Sequence, residues 1–80
     1  MVDFIDLSPN ESAVIDTTAN IVSLISNVSK LEVYKEGEGD PMVILAWGEI
    51  YSLGVSQGRF IVRNTSSTNG RIYIVRQYIL

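Results

Sequence analysis

The sequence predicts an α+β fold, with one N-terminal amphipathic helix followed by an antiparallel four- to five-stranded meander. Three observations predict it: a helix-start signal at residues 8–11, helical spacing of apolar residues over 9–29, and a switch to period two after Lys30. On this reading residues 1–80 form a single domain. Residues 1–7 are an arm or short strand, 8–29 the helix and 30–80 the β meander.

The helix start is read from "LSPNESAV". Ser8 can cap, Pro9 occupies the first helical position where its missing N–H costs nothing, and Glu11 stands where a capping box needs it. An apolar staple is missing, since Ser12 occupies its place. Beyond it, Asp16, Asn20, Ser23, Asn27 and Lys30 recur at spacings of four and three residues as a polar stripe. Val14, Thr18, Ile21, Ile25 and Val28 recur likewise on the other side. Most of these residues are mediocre helix formers, so the helix is expected to depend on burial of its apolar face.

Downstream, "KLEVYK" reads as a strand, "EGEGDP" as a turn and "MVILAW" as a strand. Gly48 interrupts "EIYSL" as a bulge or kink, and "GVSQG" is a turn. The two similar runs "GRFIVR" and "GRIYIVR" flank the polar "NTSSTNG" and read as the arms of one hairpin, not as a functional repeat.

Composition narrows the function classes. The 80-residue chain has no Cys and no His, which removes disulfides, the usual zinc ligands and the common nucleophile–base pairs. Apolar residues make up 46% and the mean hydropathy is +0.21, high for so small a domain. Small scaffolds need a staple, and a partner subunit is the one remaining. The N-terminus lacks the layout of a secretion signal, and the longest apolar run is too short to span a membrane. The expectation is a soluble protein with no membrane association, intracellular or in a virion, its compartment otherwise open. The net charge of −3 hides a split. Residues 1–49 carry nine acids and two lysines, a net −7, whereas residues 50–80 carry four arginines and no acid, a net +4. Such a chain can pair its ends internally or stack on a copy.

Candidate chemistry is sparse. Glu36, Glu38 and Asp40 alternate in "EGEGD" like the first half of a calcium loop, yet the distal bidentate Glu is missing; a solvated acidic turn is the simpler reading. Arg59, Arg63, Arg71 and Arg76 lie near Phe60, Tyr73 and Tyr78, a combination able to contact phosphate and stack bases. Alternation puts Arg71 and Arg76 on opposite faces, and the pI of about 4.6 argues against nucleic acid. Glu49 beside Trp47 is a lone strand carboxylate, more often paired or solvated than catalytic. Three Asn-x-Ser/Thr patterns, at Asn10, Asn27 and Asn64, are discounted as chance matches.

Geometry then points to assembly. "MVILAW" is apolar on both faces and one helix cannot cover both sides of a sheet, so a second apolar surface is left for another chain. The sequence is therefore read as a non-enzymatic structural or interaction module without cofactor or metal, acting as a homo-oligomer of two or three copies or docked on a protein partner. A small virus or phage fibre, decoration or connector protein is one instance of the type. The expected interface residues are Val14, Thr18, Ile21, Ile25, Val28, Val43, Leu45 and Trp47. A nucleic-acid-binding regulator using the four arginines and a small enzyme inhibitor are the alternatives.

Overall fold

A computed structural model describes residues 2–18, 20–55 and 58–78, with the backbone alone at residues 20, 55 and 78. Eight strands are present: β1 Val2–Leu7, β2 Ser12–Asp16, β3 Asn20–Asn27, β4 Leu31–Lys35, β5 Val43–Leu45, β6 Ile50–Val55, β7 Arg59–Asn64 and β8 Gly70–Tyr78. They form two antiparallel four-stranded sheets, ordered β1-β8-β3-β6 and β2-β7-β4-β5. The parts of the expected 54–58 turn and of the last strand that fall on residues 56–57 and 79–80, and Met1 of the expected arm, lie outside the described residues.

The expected helix over 8–29 is overturned: among the described residues there is no helix, and its span holds a turn followed by β2 and β3. The start signal has another reading. Ser8-Pro9-Asn10-Glu11 is a β-turn with Pro at its second position, Asn10 at φ +67 and the Glu11 N–H donated to the Ser8 carbonyl at 3.0 Å. Pro followed by a positive-φ Asn defines a type II turn. Glu11 does reach back, as a capping box requires, and accepts the Ser8 N–H at 2.8 Å. The chain nevertheless reverses, because the backbone at Asn10 is left-handed. Beyond it the β-branched content of residues 12–28 favours strand. Val22, Leu24, Ser26 and Val28 all point inward at period two and are buried.

The meander is overturned too. Of the chain-consecutive strands, β4 and β5 pair with each other, while every other connection crosses from one sheet to the other. The "GRFIVR" and "GRIYIVR" runs are β7 and β8, central strands of different sheets, not hairpin arms. "MVILAW" contributes only the three-residue β5, and Gly48 sits at φ +81 in the turn before β6, not in a bulge.

A simple rule generates this topology. Strand β1 pairs with β8, β2 with β7, β3 with β6 and β4 with β5, all centred on Glu38 at the tip of the β4–β5 turn. The chain is one long antiparallel ribbon, wrapped so that β3 also meets β8 and β4 meets β7. The wrapped ribbon closes into a jelly-roll sandwich. Ribbon pairing also resolves the charge split, bringing N-terminal acids onto C-terminal arginines. Asp6 meets Arg71 at 2.8 Å and Glu36 meets Arg59 at 3.4 Å.

The inner faces of both sheets fill the space between them. Leu24, Leu53, Ile72 and Ile74 come from one sheet, and Ile15, Leu31, Phe60 and Val62 from the other. Buried polar groups are hydrogen-bonded. The Asn64 amide donates to the carbonyls of Leu7 (3.0 Å) and Thr68 (2.9 Å), and its oxygen accepts from the Ser66 N–H and hydroxyl. The Thr17 hydroxyl donates to the Gly58 carbonyl, and the Ser26 hydroxyl to the Val28 carbonyl.

Candidate interaction surfaces

With the interior taken up by its own side chains, what this molecule offers a partner lies on its outer surfaces. Strand register decides which residues meet there, because side chains of paired residues share a face. On the β1-β8-β3-β6 sheet, Phe4 pairs with Tyr73, Tyr73 with Ile25, and Ile25 with Ile50. Leu24 beside Ile25 is buried, so this row faces outward. Four large apolar or aromatic side chains, one per strand, cross the full width of the sheet. Tyr73 and Ile25 are half-buried in the middle, while Phe4 is 49% and Ile50 67% exposed at the edges. The neighbouring row is Val2, Val75, Ser23 and Ser52.

The row on the other flank begins with Asp6 and Arg71. The guanidinium donates to Asp6 Oδ1 at 2.8 Å and Oδ2 at 3.2 Å, and lies 3.9 Å above the Phe4 ring. This bidentate contact, first of all, holds the Asp6 carboxyl below the usual 3.8 and raises Arg71.

The outer face of the β2-β7-β4-β5 sheet differs. An apolar row of Val14, Ile61 and Tyr34 is bounded by charge on both sides. Arg63 lies between Ser12 and Glu32 on one flank, and Arg59 beside Asp16 and Glu36 on the other. The Tyr34 hydroxyl donates to Glu32, which raises the phenol above 10.0. Asp16 is held low chiefly because its carboxylate accepts the Thr18 N–H at 2.8 Å.

The eight residues expected at an interface scatter. Val28 and Leu45 belong to the core, and Val43 packs against it. Val14 is exposed on one sheet, Ile21 and Ile25 are half-buried on the other, and Thr18 follows β2 in a turn. Trp47 follows β5 in a turn and is 68% exposed. Its turn is held by Gly48 N–H to the Ser26 carbonyl and by the Glu49 carboxylate accepting the Ala46 N–H. Ile25 thus shares a row with Phe4, Tyr73 and Ile50, none of which sequence reasoning placed at an interface. Their shared signal is distributed over four strands and appears only when the register is known.

The four arginines do not form one patch. Arg59 and Arg63 lie on the β2-β7-β4-β5 sheet and Arg71 on the opposite one. Arg76 pairs with inward-facing Val22 and donates to the Asp16 carbonyl at 2.6 Å. Among the described residues no three acidic side chains converge as a metal site. Asn64, discounted as a glycosylation acceptor by sequence, is fully buried.

No protein-family model and no curated protein matches the chain. Solved structures do. The chain is similar to Drosophila melanogaster CENP-C in its complex with CAL1, with a TM-score of 0.73 and 14% identity over 96% of this chain and 64% of that one. It is likewise similar to the D. melanogaster CENP-C cupin domain, with a TM-score of 0.72 and 14% identity over 96% of this chain and 56% of that one. The likeness is one of fold, and the chain spans less than two thirds of those neighbours.

Proposed function

We propose that this jelly roll is a non-enzymatic protein-interaction module that works by associating with another polypeptide, a copy of itself in the first instance. The carrying observation is where its large apolar side chains lie. The interior is filled, yet Val2, Phe4, Val14, Met42, Ile44, Trp47 and Ile50 are all exposed, on edge strands or in the turns flanking β5. Phe4 and Ile50 join Tyr73 and Ile25 in one contiguous apolar row, and a contiguous apolar patch on a small domain marks an interface. An enzyme would need a cleft with convergent polar groups, whereas the space between the sheets holds Leu24, Phe60, Val62 and Ile72 packed together. Support by analogy comes from the neighbour of like fold, the CENP-C structure bound to CAL1. The narrower setting of a virus or phage fibre, decoration or connector forms no part of the proposal, because nothing in the architecture favours it.

Sedimentation velocity and thermal melts over a wide concentration range test the reading. The sedimenting mass is expected to exceed 8.9 kDa and the melting temperature to rise with protein concentration. A concentration-independent melt with a monomeric mass would remove self-association.

A further inference from the structure

Building on the module reading, we infer that two copies pair face to face through the outer surface of the β1-β8-β3-β6 sheet, with the row Phe4, Tyr73, Ile25 and Ile50 at the centre. The contact is isologous, each copy presenting the same surface to the other, as a two-fold dimer requires.

Charge selects this face and this occupant. The chain carries a net −3, so contact between two copies is favoured where few unpaired charges meet. Among the described outward strand positions of this sheet, Asp6 and Arg71 are the only charges, and they neutralise each other in two hydrogen bonds. Here an acidic chain can meet its own copy without like-charge contact. The opposite sheet interleaves Asp16, Arg59, Glu36, Arg63 and Glu32 around its apolar row, and burying those charges against a copy would cost desolvation.

Shape agrees. Aromatic and branched side chains in the central row with the small Ser23 and Ser52 beside it make a low surface suited to sheet-on-sheet packing, where strand directions stay within about 30°. The face is roughly 20 Å square from strand and residue spacing, about 400 Å² of flat footprint, against the ~800 Å² per partner of a standard interface. A footprint of this size belongs to weak, transient pairings, not to permanent ones.

Equilibrium sedimentation of the full chain with two variants on exposed edge strands tests this. Ile50→Lys charges the proposed interface, and Val14→Lys charges the opposite face. Both sites are exposed edge positions, and far-UV circular dichroism checks that each variant folds. Ile50→Lys is expected to weaken dimerisation by about 30-fold or more, as the loss of a hot spot does, and Val14→Lys to leave it unchanged. A dimer dissociated by Val14→Lys but not by Ile50→Lys overturns the assigned face while leaving the module reading intact. A parent monomeric at every concentration overturns the pairing of copies, and with it this face. A cysteine-free chain also permits a clean spin label at Ser23→Cys. Dipolar coupling between copies at roughly 10–20 Å is expected for sheets ~10 Å apart, and a dimer with no such coupling overturns the face.

Discussion

Asn64 lies entirely out of water, its amide nitrogen bonded to the end of β1 at Leu7 and to Thr68, and its oxygen to Ser66 in the same loop as Thr68. Truncation takes the amide partner from the Leu7 carbonyl and the Ser66 N–H, while the Ser66 hydroxyl and the Thr68 carbonyl keep each other at 3.0 Å, so Asn64→Ala is expected to cost roughly 2–4 kcal/mol in urea denaturation. Asp6 and Asp16 offer a test by pH. Both carboxyls are held below 3.8, Asp6 first by its hydrogen bonds from Arg71 and Asp16 first by the Thr18 N–H. A depressed carboxyl stabilises the fold only while ionised. Its contribution is present in full above the unfolded value and is lost as pH falls through the lower folded one. Asp6→Asn is therefore expected to lower stability at neutral pH and to become indistinguishable from the parent well below 3.8. Denaturation midpoints measured from pH 2 to 7 check it, and a constant difference over that range would remove the carboxylate as the cause.

Individual elements show what was legible in the chain and what was not. The strands after Lys30 stand nearly where alternation and turn residues put them, since each is a short local pattern. Residues 12–28 misled because two periods coexist there. Ile21 and Ile25 are apolar on the outward face, while Ser26 and Thr17 take inward positions, so simple alternation is blurred and a helical spacing emerges. At "SPNE" the local contact was readable, since Glu11 does bind Ser8, but its consequence depended on the φ of Asn10. Of the proposed face, sequence reasoning picked out Ile25 alone, because Phe4, Ile25, Ile50 and Tyr73 are brought into one row only by non-local pairing. Close approach between elements is equally invisible in sequence. A Cβ at Gly70 would run into the Val28 side chain and lie 2.7 Å from the Asn27 carbonyl oxygen, where β3 leaves its sheet. Gly70→Ala is expected to destabilise by about 1–3 kcal/mol by forcing that strand end to shift, as a thermal melt will show.

At the scale of the whole molecule, the charge split is the ribbon's own complementarity: acids before Glu38 find arginines after it across paired strands. The same folded-back symmetry about Glu38 sets a timetable. Each strand pair encloses all the pairs nearer the tip, so closing β1 on β8 first would order nearly the whole chain as a loop before gaining one ladder. Starting at β4–β5 spans only the short turn at residues 36–42, and each later pair then closes on strands already brought together. Folding is expected to zip outward from the tip, with a nucleus around Gly37, which adopts φ +87, and the terminal strands adding last. Gly37→Ala strains that nucleus and is expected to slow refolding with little change in unfolding. Ile5→Ala, in a strand that docks after the barrier, is expected to speed unfolding and leave refolding alone. Stopped-flow chevrons of the two variants separate these outcomes, and equal effects on both limbs would mean that the ribbon does not close from its tip.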